Sequence, residues 1–78
     1  MNVTLYKTSI CPWCHKTEEL FKKYKIKYKA INVGENPKAA NEMIEKSGQL
    51  GVPVIDIDRN IVVGFDEPKL RKLLKIAS

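Results

Sequence analysis

Both cysteines of this 78-residue chain lie in one short segment, Cys11-Pro12-Trp13-Cys14. Two intervening residues allow the two sulfurs to meet across one turn at the start of a helix, where a disulfide can form and reopen. The first turn of a helix also presents free backbone N–H groups and the positive end of the helix dipole, which favour a thiolate. The spacing therefore predicts thiol–disulfide chemistry.

Disulfide exchange needs a thiolate that attacks and a second thiol that resolves the mixed disulfide. We expect Cys11 to attack, because it would cap the helix with the N–H groups of Trp13 and Cys14 within reach of its sulfur. Cys14 would lie one turn inside, more buried and less acidic, and would release the substrate by attacking the mixed disulfide. Three basic residues would further favour the thiolate of Cys11: Lys7, His15 and Lys16. His15 is either a proton shuttle or an exposed helix residue beside the site.

The size and composition of the chain indicate a single small domain, spanning residues 1–78. The apolar fraction of 44% is ordinary for a folded protein. No apolar stretch reaches the roughly 20 residues needed to cross a bilayer, and the first residues do not form a signal-peptide pattern. These features predict a cytoplasmic protein that does not associate with a membrane. In that reducing compartment a single cysteine pair is more often catalytic than structural.

The chain is basic, with a formal net charge of +5 from 14 Lys and Arg against nine Asp and Glu. The positive residues concentrate in segments 22–29 and 69–75. The aromatic residues are not interleaved with them in the way that a stacking platform would need, so the pattern does not indicate nucleic-acid binding. We interpret the basic segments as solvated faces of a helix and an edge strand, which would also attract an acidic partner or an anionic thiol.

Hydrophobic periodicity, caps and turn residues predict the element order β-α-β-α-β-β-α. The predicted strands cover about residues 2–7, 27–33, 52–57 and 61–63. The helices begin at Pro12, after the cap Asn36 and after the cap Asp66, and Gly48 ends the second. The predicted inward residues are Cys14, Thr17, Leu20, Phe21 and Tyr24 on the first helix, Ala40, Met43 and Ile44 on the second, and Leu70, Leu73, Leu74 and Ala77 on the third.

This order belongs to the α/β class. The opening β-α-β unit should be right-handed with parallel strands, and the closing hairpin adds an antiparallel pair. We therefore expect one four-stranded mixed sheet flanked by three helices. Ligands of such sheets gather at the carboxyl ends of strands and at the adjoining helix N-termini, where Cys11 lies.

Two further motifs follow the cysteines: Gly51-Val52-Pro53, and Gly64-Phe65-Asp66 before the last helix. From the residues alone, Pro53 is either an ordinary trans proline at a strand start or the less frequent cis form. With the Cys-Pro-aromatic-Cys segment, these motifs resemble the glutaredoxins of the thioredoxin superfamily over essentially the whole chain. The resemblance implies a thioredoxin-like (glutaredoxin) fold and a monomeric dithiol oxidoreductase with no bound cofactor and no metal.

The resemblance also implies how a substrate would bind. The proline matching Pro53 is cis in the family and faces the attacking cysteine. Glutathione, the expected cosubstrate, would pair with the backbone of Val52 as a short added strand. The remaining residues implied at the glutathione site are Pro12, Trp13 as an apolar wall, Gly64, Asp66 at the helix start, and Lys7.

Two departures from the family pattern leave the reductant open. The usual lysine position, three residues before the first cysteine, is Thr8, and Lys7 stands one place earlier. The usual Gly-Gly is Val63-Gly64. These departures, together with segment 47–53, resemble a glutaredoxin-like group that donates electrons to ribonucleotide reductase and is recharged by a thioredoxin-reductase-type flavoenzyme. The expected partners are thus glutathione or such a flavoenzyme, together with disulfide-containing proteins.

Alternatives of another class start from the same cysteines. The segment Cys11–His15 also fits the Cys-x-x-Cys-His pattern of covalent haem attachment, with His15 and Met43 as axial ligands. Strands flanking the motif and the missing export signal oppose this interpretation. Two cysteines and one histidine give a structural zinc at most three of its four ligands. An iron–sulfur cluster bridging two chains, or an interaction module with inert thiols, completes the alternatives.

Overall fold

The computed structural model describes residues 1–76 and contains four strands and three helices in the predicted order. In chain order the elements are β1 Val3–Lys7, α1 Pro12–Lys23, β2 Lys29–Asn32, α2 Pro37–Ser47, β3 Val54–Ile57, β4 Asn60–Val63 and α3 Glu67–Leu74. β2 and β3 are shorter than predicted, and β4 begins at Asn60, one residue earlier than predicted.

The strands form one mixed sheet in the order β2-β1-β3-β4. β1 pairs with β2 in parallel and with β3 antiparallel, and β3 and β4 form the antiparallel hairpin. This confirms the predicted fold class. Because Tyr6 of β1 lies opposite Val54 of β3, the segment that follows β1 and the segment that precedes β3 meet at the same edge of the sheet.

One face of the sheet packs against α1 and α3 and carries the larger part of the core. Alternate residues of the central strand, Val3 and Leu5, point to this side, as the period of a strand requires. The buried side chains of this cluster are Val3, Leu5, Leu20, Phe21, Ile55, Ile57, Val62, Leu70 and Leu74. Leu73 and Tyr24 are half-buried against it, and the predicted Ala77 lies outside the described residues.

The opposite face is covered by α2, and here the predicted inward residues need correction. Ala39 and Met43 are the buried residues of α2, whereas Ala40 is half-buried and Ile44 is 39% exposed. Positions four apart share one helical face. This short helix rests on the sheet through that single row, so positions 40 and 44 lie along its flank.

The helix ends follow the predicted capping residues. Asn36 Oδ1 accepts a hydrogen bond from the Ala39 amide at 3.0 Å, and Asp66 Oδ1 accepts one from the Lys69 amide at 3.3 Å. Gly48 ends α2 with φ of 75°, a left-handed conformation that glycine adopts without steric cost. None of the helices within residues 1–76 is long and apolar enough to cross a membrane.

Leu5→Ala should lower the free energy of unfolding by about 2–5 kcal/mol, because the side chain is fully buried in the central strand. That loss is a large part of the total stability of so small a domain. Ile10→Ala is the matched control, since Ile10 is 89% exposed and should change stability by no more than about 0.5 kcal/mol. Urea denaturation of the reduced protein measures both. Equal midpoints for Leu5→Ala and the parent protein would contradict this account of the core.

Candidate active site

Cys11 is the N-cap of α1, and its sulfur completes the first turn of the helix. Its backbone is extended, with φ of −95° and ψ of 109°, and Pro12 follows at the first helical position. Of the two amides expected to reach the sulfur, the Cys14 N–H donates to Cys11 Sγ at 3.1 Å. Cys11 is 8% exposed, and both cysteines are free thiols.

Cys14 lies one turn inside the same helix and is 1% exposed. Burial raises the pKa of its thiol to about 12, and a hydrogen bond with the Cys11 side chain acts in the same direction. The Thr8 backbone and the positive charge of Lys7 oppose this rise without cancelling it. Cys14 is therefore a protonated thiol at neutral pH, held directly against Cys11.

Pro53 and Val52 lie at the end of the sheet where the cysteines lie. Pro53 directly precedes β3, whose Val54 is paired with Tyr6 near the end of β1. The Val52–Pro53 bond is cis, and Pro53 is buried. Within residues 1–76 the amide and carbonyl of Val52 have no backbone hydrogen-bond partner, so this residue offers the pairing groups of a free strand edge.

Trp13, the aromatic residue between the cysteines, lies exposed beside Cys11 at the start of α1. It is 55% exposed, and its ring stacks on Phe65 at a centroid distance of 6.0 Å. Lys16 Nζ lies 5.3 Å from the centroid of the same ring. Phe65 is half-buried against the core beneath α1 and α3, so it links the Trp13 ring to the core.

Gly64 lies directly before Phe65 and contacts the proline segment. Its amide donates to the Pro53 carbonyl at 2.8 Å. Its φ of 79° is strained for any residue with a side chain, although no atom lies within 4 Å of where a Cβ would be. Asp66, two residues later, is exposed and caps α3 through the Lys69 amide.

Lys7 is bound within the protein, an arrangement that the sequence analysis missed. Its Nζ lies 2.6 Å from Glu18 Oε1, and Tyr28 Oη donates to Glu18 Oε2 at 2.8 Å. Burial alone would raise the pKa of Glu18, but the hydrogen bonds from Lys7 and Tyr28 outweigh it and hold that pKa below its usual range. A signal was present in the sequence, because Glu18 stands four residues after Cys14 and therefore shares its helical face.

Three exposed apolar side chains belong to the segments that form the site, and we call them the apolar rim: Ile10, Trp13 and Leu50. They are 89%, 55% and 66% exposed, respectively. Ile10 directly precedes Cys11, and Leu50 lies two residues before Val52. Ile10 and Leu50 were also missed, because an isolated apolar residue in a loop gives no periodic signal.

The ligands required for haem are not brought together. His15 is exposed on α1, with Nε2 3.3 Å from the Ser9 carbonyl oxygen. Met43 is fully buried beneath α2, on the opposite face of the sheet. These two residues therefore do not fit as axial ligands of one haem. Across residues 1–76 no group of three or more His, Cys, Asp or Glu side chains is placed to hold a metal ion.

Comparison with known sequences agrees with this geometry. A sequence model of the glutaredoxin family matches residues 3–62. An uncharacterized glutaredoxin-like 8.6 kDa protein in the rubredoxin operon of Clostridium pasteurianum is 44% identical over 73 residues, covering 94% of this chain and 97% of that protein. Glutaredoxin 3 of Escherichia coli is 32% identical over 66 residues, covering 85% of this chain and 80% of that protein.

Comparison with solved structures gives the same result. The glutaredoxin from Archaeoglobus fulgidus superposes with a TM-score of 0.87 at 29% identity, over 95% of this chain and 86% of that one. The thiol pair at the start of a helix, the proline segment beside it and these relatives all point to one family. The chain belongs to the glutaredoxins and is a thiol–disulfide oxidoreductase.

Proposed function

We propose that this protein reduces protein disulfides by a two-thiol mechanism in which Cys11 attacks and Cys14 resolves. The observation that carries the proposal is the pairing of the two sulfurs. The Cys11 sulfur accepts a hydrogen bond from the Cys14 amide at 3.1 Å, and Cys11 is the more exposed of the two residues. Cys14 is buried beside it as a protonated thiol. The two side chains thus have different environments suited to different steps.

The reaction proceeds in two exchanges. Cys11 attacks one sulfur of a substrate disulfide, forming a mixed disulfide and expelling the first substrate thiolate. Cys14 then loses its proton to solvent and attacks Cys11 Sγ, which expels the second substrate thiolate and leaves a Cys11–Cys14 disulfide. The protein is oxidised by two electrons, the substrate is reduced to two thiols, and the expelled thiolates take up protons from water.

The surroundings of Cys11 fit an extended protein segment as the substrate. Val52 has its backbone groups free within the described residues and would pair with such a segment as an added strand, beside Pro53. Trp13, with Pro12 beside it, would line the other side. The apolar rim would cover apolar residues that flank the substrate cysteine, a contact that water-soluble glutathione provides less well.

For the electron source we propose a thioredoxin-reductase-type flavoenzyme, with glutathione as the second candidate. The flavoenzyme is favoured because the Lys7 ammonium, which the family resemblance assigns to glutathione, is already bound to Glu18. Glutathione is supported by the unpaired backbone of Val52, with Gly64 and Asp66 at the start of α3 to receive its charged ends. Either source would supply the electrons for a monomer acting on disulfide-containing proteins, ribonucleotide reductase among those that the resemblance implies.

Alkylation of the reduced protein by iodoacetamide between pH 7 and pH 8 should label Cys11 and spare Cys14. The reason is the pKa of Cys14 at about 12, because the thiolate fraction of this residue rises only as the pH approaches that value. Peptide mass spectrometry after timed quenching locates the label. Labelling in 6 M urea, where both thiols are exposed, is the control. Equal labelling of both cysteines in the folded protein would contradict the assignment.

Cys11→Ser should abolish disulfide reduction, because the attacking sulfur is removed. Cys14→Ser should instead accumulate a mixed disulfide on Cys11 and lose turnover with protein disulfides. Insulin reduction with dithiothreitol as the electron donor measures turnover, and non-reducing gels with mass spectrometry detect the trapped adduct. Substantial turnover by Cys11→Ser, or turnover of Cys14→Ser equal to that of the parent protein, would overturn the two-thiol scheme.

Recharging of the oxidised protein should be faster with NADPH and thioredoxin reductase than with NADPH, glutathione and glutathione reductase. Leu50→Asp should slow the first route about tenfold or more, since it places a charge where a protein partner would bury an apolar group. It should leave the glutathione route within about twofold of the parent rate. NADPH oxidation measures both routes. Faster recharging by glutathione would transfer the proposal to that reductant, and equal effects of Leu50→Asp on both routes would remove the rim from partner binding.

A further inference from the structure

The ion pair between Lys7 and Glu18 lies beside the buried thiol of the active site. Lys7 is the last residue of β1, and Glu18 lies on α1 one turn beyond Cys14. The side chains of Lys7 and Glu18 are 23% and 15% exposed, so water screens their charges only partly. Tyr28 donates to the second oxygen of Glu18, and its ring packs on Phe21 at 4.9 Å. The ammonium is therefore held in a fixed place between the strand and the helix.

Cys14 lies one helical turn before Glu18, the residue that binds the Lys7 ammonium at 2.6 Å. The backbone of Thr8, the residue after Lys7, and more weakly the charge of Lys7 lower the pKa of the Cys14 thiol, against the larger effect of burial. The charged or titratable groups that face Cys14 are Cys11 and, one turn further on the same helical face, Glu18 from its own helix, and Lys7 from β1. Those that face Lys7 are Cys14, Glu18 and, through Glu18, Tyr28.

From this arrangement we infer that Lys7, held by Glu18 and Tyr28, is a positioning residue for the resolving step and favours the thiolate of Cys14. The inference rests on the two-thiol function proposed above. It assigns to Lys7 a step different from substrate binding, because the ammonium is directed at α1 and its glutamate.

The resolving step is where such a charge is needed. Once Cys11 is in a mixed disulfide, its thiol no longer takes part in the interactions that raise the pKa of Cys14. Burial still opposes it, and a buried thiolate needs a nearby positive charge or amide. Lys7 and the Thr8 backbone are the two groups that act in this direction. Cys14 then releases its proton to solvent, attacks Cys11 Sγ, and the substrate sulfur leaves with the electron pair of the broken bond.

The test separates the two exchanges with one small probe, 4,4′-dithiodipyridine. This disulfide is uncharged, so removing a lysine does not change its electrostatic attraction to the protein. Attack by Cys11 releases a first thiopyridone, and attack by Cys14 on the resulting mixed disulfide releases a second. Stopped-flow absorbance therefore records two phases, one for each cysteine, over a range of pH.

Lys7→Met should leave the first phase within about twofold of the parent rate and slow the second about threefold at pH 7. Loss of one adjacent charge raises the pKa of a thiol by about one pH unit, which lowers the thiolate fraction about tenfold. A thiolate of higher pKa is also more nucleophilic, which raises its rate of attack about threefold and offsets part of this loss. The pH at which the second phase reaches its plateau should rise by about one pH unit, and Lys7→Arg should restore both values.

Two further variants keep the result interpretable. Lys27→Met removes an exposed lysine of the same charge and should leave both phases unchanged. Lys7→Met combined with Glu18→Gln removes both charges without leaving a buried carboxylate unpaired, and it should show the same slow second phase even if Lys7→Met alone is poorly folded.

The inference is overturned if the second phase keeps the parent rate and pH profile in Lys7→Met and in the Lys7→Met, Glu18→Gln double variant. It is also overturned if these variants slow the first phase as much as the second. A parent protein that releases only one thiopyridone would instead refute the two-thiol function on which the inference rests. The failure of the inference and the failure of the function are thus different observations in the same recording.

Discussion

The hydrogen bond from the Cys14 amide to the Cys11 sulfur is the interaction on which the site depends. It satisfies one of the free N–H groups at the start of α1 and directs the helix dipole at the reactive atom. Cysteine is not among the residues that cap helices best, so the helix gains less here than a serine or aspartate would give. The first turn, Pro12-Trp13-Cys14, also contains no carboxylate that would compete with a thiolate for the positive end of the helix. One hydrogen bond, from the Cys14 amide to the Cys11 sulfur, therefore both caps the helix and sets the environment of the Cys11 thiol.

The sheet order explains why three distant segments meet at that sulfur. β1 and β4 run in the same direction and β3 runs opposite between them, so the end of β1, the start of β3 and the end of β4 share one edge. Cys11 follows the first, Pro53 precedes the second, and Gly64 follows the third. The Gly64 amide on the Pro53 carbonyl and the Trp13 ring on Phe65 then fix these segments to one another. The hairpin thus places Pro53 and Gly64 at the same end of the sheet as a cysteine some forty residues away.

Patterns within one element were readable from the sequence. The four strands, the three helices, the caps Asn36 and Asp66 and the end of α2 at Gly48 all follow from local periodicity and turn chemistry. On α2 the inward position of Met43 was predicted correctly, but Ala40 was chosen in place of Ala39, because the two are identical in type and only contact with the sheet distinguishes them. The cis form of Pro53 came from the family resemblance, since the local sequence does not determine it.

Contacts between elements were not readable, and charged residues show why. Lys7 and Lys46 both look like solvated lysines in a basic chain, yet each is bound to a carboxylate and linked to a tyrosine hydroxyl. Lys46 joins α2 to Tyr6 and Asp56 on one face of the sheet, and Lys7 joins β1 to α1 on the other. Lys46 also pairs with Glu42 one helical turn away, at 3.4 Å, but the partners on other elements are 10 to 40 residues away in sequence, so local periodicity does not pair them with these lysines.

The two clusters use the same types of group, and their positions give them different consequences. The Lys46 cluster lies on the α2 face of the sheet, where Tyr6, Ala39, Met43 and Val54 are buried. The Lys7 cluster lies near the buried thiol of Cys14, whose pKa the Lys7 charge lowers. An ion pair of this kind contributes little net stability when its desolvation cost is counted. The hydrophobic contacts of Leu5, Phe21 and Leu70 already hold α1 and α3 against the sheet. The presence of the Lys7–Glu18 ion pair is therefore better explained by its effect on the neighbouring Cys14 sulfur than by a contribution to the stability of the fold.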